Sequence, residues 1–262
     1  FHLNTRTTTS RVHKRQSRNL IENSKADDNW GGGFRLGFFT TESKIVEGNT
    51  LRYLEAHNNR HGTGIDFGRS GPGRVDTYLN YTRDNIIENS LSYNNGYLPN
   101  GTNVLPISGD SAGGGNSDAM GTFKQCQDGT SIRMPPEGSN WCPGNMFRNN
   151  IGFGNADDGM DVSFADSIVD DNIMFNNGPM GNRGFKVLRY VSNLTYRGNV
   201  AFNNGWSGFE FRNDVNRTGF TILNNLALRH PSAGITGIAS HAQARNNLAA
   251  FNLGSEAVPT CA

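Results

Sequence analysis

A repeated asparagine-rich unit is the feature that most restricts what this chain can fold into. Segments such as GNMFRNNIGFGNADDGMDV and GNVAFNNGWSGFEF each read as a short apolar strand, an Asn-rich turn, a glycine and a second short strand. The matched asparagines recur at intervals of 22, 27 and 26 residues, at Asn150, Asn172, Asn199 and Asn225. Periods of about 20–50 residues are typical of solenoids and propellers.

The length of the period distinguishes between these repeat architectures. Propeller blades need about 40 residues, and leucine-rich repeats need a leucine framework that this chain lacks. Short strands joined by turns, at 22–27 residues per cycle, fit one coil of a parallel β-helix. The sequence therefore predicts an all-β, right-handed, single-stranded parallel β-helix. We expect one domain over residues 1–262, with loop insertions around 97–143, where the repeat is stretched.

The composition is compatible with such a fold, although it is unusual for a globule. Hydrophobic residues make up only 35% and glycine is abundant, but 16 Phe, 7 Tyr and 3 Trp supply a core. In the strand GFEF, alternation places Phe209 and Phe211 inward and Glu210 outward. Stacked coils place like residues above like residues, so we expect most asparagines to form an internal ladder, with glycines supplying positive φ at the turns.

Charge and hydropathy exclude several functional classes. The net charge is +1 and the basic residues are scattered, so we expect no nucleic-acid partner. The sequence has no apolar run of about 18 residues and no signal peptide, so we expect no membrane partner. It begins FHLNTRTTTS without Met, and we interpret the chain as a mature or trimmed form. Cys126 and Cys142 form either a loop disulfide or two free thiols.

Alignment of the strands that follow the Asn turn predicts a single solvent-facing column. Asp161 and Lys186 are 25 residues apart, which is one coil, so they should lie on adjacent rungs about 4.8 Å apart. The column is interrupted by the inserted coil. Its predicted members are Arg35, Asp66, Asp161, Lys186, Glu210 and Thr236.

A group of carboxylates precedes this column in the segment NADDGMD. Asp157, Asp158 and Asp161 would repel one another unless a cation joins them, and calcium prefers such oxygen ligands. The spacing is not that of an EF-hand, and no His or Cys accompanies the group as zinc would require. Asp118, one coil upstream, could add a fourth carboxylate. Alternatively, Asp157 and Asp158 cap a turn through bonds to the backbone.

Lys186 also allows two interpretations. A lysine beside a divalent cation loses its proton more readily, because two positive charges disfavour each other, and a neutral lysine can act as a general base. The alternative is a simple salt bridge to Asp161 or Glu210. Residue spacing does not distinguish the two.

The motif NADDGMDV, followed by GFKV one coil later and then by NNGWSGF, resembles the family 9 polysaccharide lyases, the pectate lyase group with a parallel β-helix. The segment GGGNSDAMGTFK resembles that family's preceding motif, and the resemblance spans roughly residues 80–225. It implies one Ca²⁺ bound by four aspartates and a lysine base, Lys186. The implied ligands are Asp118, Asp157, Asp158 and Asp161.

This sequence departs from the family at one position and leaves one ligand open. Ala119 follows Asp118 where the family usually has glycine. The strand after Asp118 could therefore be placed differently, and Asp110 is its competitor as the fourth ligand.

The resemblance implies a secreted, monomeric enzyme that cleaves an acidic polysaccharide, above all pectate or polygalacturonate, by calcium-assisted β-elimination. Other arginines could bind further carboxylates of the substrate; the candidates are Arg35, Arg183, Arg189 and Arg212. The alternatives are a lyase or hydrolase on rhamnogalacturonan, alginate or another uronic-acid glycan, and a non-catalytic carbohydrate-binding or adhesive β-helix with structural calcium.

Overall fold

In the computed structural model, the described part of the chain is a series of short strands joined by turns. The described residues are 14–38, 44–69, 80–97, 117–122, 143–162, 164, 166–179, 182–187, 193–211, 219–238 and 242–254. These residues form 26 strands and no helix, so none of them provides a helix able to span a membrane. Asp110, Arg189, Arg212 and the three cysteines lie outside the described residues.

The strands contain two to five residues each. In chain order they are β1 (Lys14–Ser17), β2 (Leu20–Glu22), β3 (Lys25–Asp27), β4 (Phe34–Phe38), β5 (Lys44–Glu47), β6 (Thr50–Arg52), β7 (Glu55–His57), β8 (Ile65–Arg69), β9 (Asn80–Arg83), β10 (Ile86–Glu88), β11 (Leu91–Tyr93), β12 (Met120–Thr122), β13 (Met146–Arg148), β14 (Ile151–Phe153), β15 (Met160–Val162), β16 (Ile168–Asp170), β17 (Ile173–Phe175), β18 (Phe185–Val187), β19 (Thr195–Arg197), β20 (Val200–Phe202), β21 (Phe209–Phe211), β22 (Thr221–Leu223), β23 (Leu226–Leu228), β24 (Ile235–Thr236), β25 (Gln243–Arg245) and β26 (Leu248–Ala250).

The strands stack into three long parallel sheets, and each coil contributes one strand to each, except that the last described coil contributes none to the third. The first eight-stranded sheet has the order β2-β6-β10-β13-β16-β19-β22-β25, and the second has the order β3-β7-β11-β14-β17-β20-β23-β26. The seven-stranded sheet has the order β4-β8-β12-β15-β18-β21-β24, and β1, β5 and β9 form a small fourth sheet. This coiled parallel pairing confirms the predicted parallel β-helix.

The core runs through the centre of the coils. In the two eight-stranded sheets the middle residue of each strand points inward, as Phe147 and Tyr196 do, whereas in the seven-stranded sheet the outer two point inward. Phe185 and Phe209 stack on neighbouring rungs with ring centroids 4.7 Å apart. Burying each such side chain contributes about 1.5–3 kcal/mol to the free energy of folding. The aromatic residues therefore form much of the core, although the hydrophobic content of the chain is low.

Buried asparagines form continuous ladders between the coils, as predicted. The side-chain oxygen of Asn172 accepts bonds from both the backbone and the side chain of Asn150, at 3.0 and 2.9 Å. Its amide donates to Asn199 and to the carbonyl of Phe147, each at 3.0 Å. The same contact joins Asn85 to Asn145, although 60 residues separate them. Each ladder residue therefore ties three coils together.

Positive φ at the turns is shared between glycine and other residues, of which asparagine and aspartate are the most frequent. Gly144 and Gly198 have φ of 73° and 65°, whereas Asn176 and Asn203, each directly before a ladder asparagine, have φ of 53°. Asparagine tolerates this left-handed region better than other side chains do. The prediction that glycines supply this conformation is thus only part of the explanation.

One ladder contains a histidine in place of an asparagine. The backbone N–H of Asn204 donates to His230 Nδ1 at 3.3 Å, and His230 Nε2 lies 3.2 Å from the carbonyl of Ala201. Because Nδ1 accepts, the proton belongs on Nε2, which donates to Ala201. Burial lowers the pKa of His230 from its ordinary value, although these backbone bonds act in the opposite direction. The ladder therefore holds a neutral imidazole.

A second stacked column lies on the outside of the helix. The rings on the second eight-stranded sheet stack with centroids 4.6–4.9 Å apart and interplanar angles of 3–12°. Since each ring face contacts its neighbour, this column presents mainly ring edges to its surroundings. Its members are His57, Tyr93, Phe153, Phe175 and Phe202.

Replacing Asn172 with alanine should lower the free energy of unfolding by about 3 kcal/mol, because buried donors and acceptors on both neighbouring coils lose their partner. Urea denaturation followed by circular dichroism measures this loss. The control is Gln243→Ala, which truncates an exposed side chain on β25 and should change the free energy by less than about 0.5 kcal/mol. Equal effects of the two changes would contradict a stabilising ladder.

The substitution His230→Asn should remove a pH dependence of stability. Because the pKa of His230 is lower in the folded protein, its contribution is present above the unfolded pKa of about 6.5 and is lost as the pH falls below it. The difference in urea midpoint between wild type and His230→Asn should therefore shift against the wild type on acidification. A difference that does not vary with pH would show that His230 does not titrate on unfolding.

Candidate functional site

The carboxylates and the lysine converge on three successive strands of the seven-stranded sheet. Asp118 precedes β12, Asp157 and Asp158 lie in the turn before β15, and Asp161 lies within β15. Lys186 occupies the middle of β18, and its register partner on β15 is Asp161. The adjacent placement of Asp161 and Lys186 is what their 25-residue spacing predicts.

Three of the four predicted ligands bring their side-chain oxygens close together. Asp118, Asp157 and Asp158 are buried, and each offers an oxygen within 4.8 Å of the others; these three residues are called the carboxylate trio below. The backbone N–H of Asp158 donates to Asp118 Oδ1 at 3.1 Å, and the backbone N–H of Arg183 donates to Asp158 Oδ1 at 2.7 Å. Asp161 lies beside the trio, on the side of Lys186.

Ala119 does not displace Asp118 from this arrangement. Its side chain is fully buried and lies over Gly152, where an added Cβ would come within 2.5 Å of Ala119 Cβ. The glycine on the neighbouring sheet therefore provides the space that the methyl group needs. The departure from the family motif is accommodated locally, and the aspartate keeps its place in the trio.

Lys186 is bound by carboxylates on two sides. Its Nζ lies 2.9 Å from Asp161 Oδ2 and forms a second ion pair with Asp158 Oδ2. Of the two salt bridges predicted as the alternative to a base, the one to Asp161 is present and the one to Glu210 is not, because Glu210 pairs with Arg183. Lys186 therefore belongs electrostatically to the carboxylates.

Burial and like charge perturb the protonation of the whole cluster. Burial acts to lower the pKa of Lys186, but the four aspartates outweigh it and raise that pKa well above its usual value. Burial, reinforced by the neighbouring carboxylates, raises the pKa of Asp157 to about 7 and that of Asp118 well above its usual range. The cluster thus holds more negative charge than one lysine offsets, which favours uptake of protons or of a cation.

The predicted column has the expected register, but its exposure was predicted wrongly. Strand pairing aligns its six members, with Gly121 filling the rung of the inserted coil. Asp66, Asp161 and Lys186 are nevertheless buried. Arg35 covers Asp66 through a 2.6 Å ion pair. The reason is that opposite charges one rung apart pair and shield each other from water, which periodicity does not reveal.

The donor set fits a hard divalent cation. The trio supplies only carboxylate oxygens, which suit Ca²⁺, and the described surroundings bring neither His nor Cys into the group. Asp161 could complete the set if its pairing with Lys186 loosened. Asp118, Asp157, Asp158 and Asp161 are therefore the residues that could hold such an ion.

Two supporting contacts were not foreseen from the sequence. Thr63 Oγ1 lies 3.5 Å from Asp118 Oδ2, and the Arg183 backbone fixes Asp158. Thr63 lies two coils before the NADDGMD segment and carries no motif, so only the register could have identified it. Arg183 was one of four arginines considered as candidates for binding substrate carboxylates, and its guanidinium pairs with Glu210.

Comparisons with known proteins identify related folds. No protein-family model matches the sequence, and no curated protein is significantly similar to it. Among solved structures, the chain is similar to the A-module of mannuronan C-5 epimerase AlgE6 from Azotobacter vinelandii, at 14% identity and a TM-score of 0.48, over 92% of this chain and 59% of that one. It is also similar to pectate lyase Pel9A, at 16% identity and a TM-score of 0.44, over 93% and 68%.

This chain thus spans less than two thirds of the epimerase module's length. At these identities the similarity concerns the fold, so the activity has to be argued from this chain's own residues. Membership of polysaccharide lyase family 9 stays a prediction.

The substitution Asp157→Asn should stabilise the protein in chelator at about pH 8. Because the folded pKa of Asp157 is raised to about 7, its contribution to stability is full below the unfolded pKa of about 4 and is lost as the pH rises through 7. Asparagine removes the buried charge and with it this loss. Thermal unfolding in chelator across this pH range measures the effect.

The same substitution should reduce the stabilisation that added calcium gives, because a ligand is lost. Asp27→Asn, which changes a half-exposed carboxylate on β3, is the control for both measurements. If Asp157→Asn lowered stability in chelator at alkaline pH, the proposed charge excess at this site would be wrong.

Proposed function

We propose that this protein is a secreted polysaccharide lyase, similar to family 9, that cleaves an acidic polysaccharide such as polygalacturonate by calcium-assisted β-elimination. The observation that carries the proposal is the position of Lys186. Its ammonium lies 2.9 Å from Asp161 and directly beside the carboxylate trio. A potential base thus borders a site suited to a hard cation.

In this proposal the aspartates bind the cation and Lys186 is the base. Asp118, Asp157, Asp158 and Asp161 would hold Ca²⁺, which when bound neutralises a substrate carboxylate and stabilises the negative charge that develops when the neighbouring proton leaves. The same carboxylates now hold Lys186 protonated. Once their charge is offset, the burial of Lys186 dominates and favours its neutral form.

Neutral Lys186 would then take the C5 proton of the uronate ring. As that C–H bond breaks, its electron pair forms the C4–C5 double bond, and the C4–O bond breaks with its pair leaving on the oxygen. The leaving oxygen takes one proton from water, so the products are an unsaturated sugar end, a new chain end with a free hydroxyl, a hydroxide ion and a protonated Lys186. The burial of Lys186 restricts its contact with water, which keeps the base available for the substrate.

The residues of the site differ from those of a glycoside hydrolase. Hydrolases of that kind usually use one pair of carboxyl groups that flank the scissile bond. Here three buried carboxylates each offer one oxygen within 4.8 Å of the others, and a lysine is ion-paired to one of them. A lysine, and not a fourth carboxylate acting alone, is the candidate proton acceptor.

A second candidate function is non-catalytic carbohydrate binding with structural calcium. The double ion pair of Lys186 and its raised pKa favour it, because a lysine that stays protonated only balances charge. The two functions differ in whether a new chromophore forms.

Replacing Lys186 with alanine should lower the cleavage rate by about 10³-fold or more, since general base catalysis is lost. The assay is the ultraviolet absorbance of unsaturated uronate released from polygalacturonate, in calcium and in chelator. Because this change also removes a buried positive charge, Lys186→Arg serves as a second variant that keeps the charge. It should restore the fold, as judged by circular dichroism, without restoring the rate.

Lys25→Ala, which truncates a half-exposed lysine on β3, is the matched control and should retain full activity. Full activity in Lys186→Ala would remove the assignment of the base. Binding of uronic-acid polymers without any new chromophore would contradict the lyase proposal and support non-catalytic carbohydrate binding.

A further inference from the structure

The turns that precede the strands of the seven-stranded sheet form a rim beside the buried column. Backbone bonds join successive turns in register: Gly178 N–H donates to Asn155 at 2.9 Å, and Gly205 N–H donates to Asn177 at 2.9 Å. The turns are therefore in register at the residue after each ladder residue. Asp157 and Trp206 each lie two positions after a ladder residue, Asn155 and Asn204, on turns two coils apart.

Trp206 occupies the same rim as the ligand Asp157, two rungs further along. With about 4.8 Å per rung, the separation along the axis is about 10 Å. Its side chain is 47% exposed. A single exposed apolar side chain is common on protein surfaces, so a role for Trp206 has to follow from its neighbours.

Trp206 differs from the other exposed tryptophan, Trp30, and from the rings of the outer column. Trp30 is covered by His61, with centroids 4.8 Å apart, and by the guanidinium of Arg60. The rings of the outer column have their faces against one another. Among the described residues, no ring and no guanidinium stacks on Trp206, so its flat face is the one suited to a ligand.

The surroundings of Trp206 match a charged sugar chain. Between it and the trio lies the ion pair of Arg183 with Glu210, whose side chains are each 18% exposed. This pair offers donors and an acceptor for hydroxyl and carboxylate groups. A pyranose ring has a flat face of C–H groups and polar groups at its edge, which suits an indole face next to polar side chains.

We propose that Trp206 is a stacking platform for a sugar ring of the acidic polysaccharide, one rung from Lys186 and two rungs from Asp157. The proposal rests on the function proposed above and adds a subsite to it. It follows that the platform serves only chains long enough to extend from Lys186 to Trp206.

The test compares Trp206→Ala, Trp206→Phe and the control Phe251→Ala, which removes an exposed ring on the last described coil. Cleavage of polygalacturonate and of a length series of oligogalacturonides is measured in calcium. Trp206→Ala should raise KM roughly tenfold on the polymer with kcat nearly unchanged, equivalent to about 1.4 kcal/mol. Trp206→Phe should recover most of this, and the shortest substrates should be unaffected by either change.

Binding to Lys186→Ala separates this proposal from the lyase proposal. Oligogalacturonide should quench the tryptophan fluorescence of Lys186→Ala, and this quenching should disappear when Trp206→Phe is added. Quenching without cleavage by the wild type would retain the platform and overturn the lyase. Cleavage with an unchanged KM in Trp206→Ala would overturn the platform alone, and the absence of both binding and cleavage would overturn both.

Discussion

The stacking of coils in strict register is the constraint on which the rest of this structure depends. Parallel strand pairing at about 4.8 Å per rung places one residue of each coil in every column, and the asparagine ladders fix that register from inside. A column is therefore apolar, aromatic or charged for as many rungs as its residues keep that character, and one substitution changes it at one rung. The candidate site lies where aspartates on two consecutive coils, Asp118 and then Asp157, Asp158 and Asp161, are followed by Lys186 on the next coil.

Register also explains why the site carries an uneven charge. Four aspartates and one lysine cannot move apart, because each is attached to a rung that the ladders hold in place. In water such a group would separate and be screened. Held together and buried, it retains protons and raises the pKa of Lys186. The fold thus maintains an electrostatic imbalance that a bound cation would relieve, as preorganised sites commonly do.

The sequence allowed the periodic part of this organisation to be predicted. The asparagine spacing indicated the coil, and the spacing of Asp161 and Lys186 indicated adjacent rungs. What it could not indicate is how side chains turn once they are there. Three contacts depend on rotamers and on residues up to two coils away. Lys186 pairs with Asp158 and not with Glu210, Arg35 covers Asp66, and Thr63 contacts Asp118. The resemblance to a known family suggested the ligands, and Gly152 explains how Ala119 was accommodated.

The ladders also make the geometry of the site independent of loop length. Asn150 and Asn172 are 22 residues apart, and Asn85 and Asn145 are 60 residues apart, yet both pairs form the same amide contact at 2.9 and 3.0 Å. Closing the longer coil costs only about 0.9 kcal/mol more by loop entropy. Loops of very different size can therefore be exchanged on this scaffold without shifting a rung. Such a molecule can diversify what it recognises while the chemistry at its centre stays unchanged.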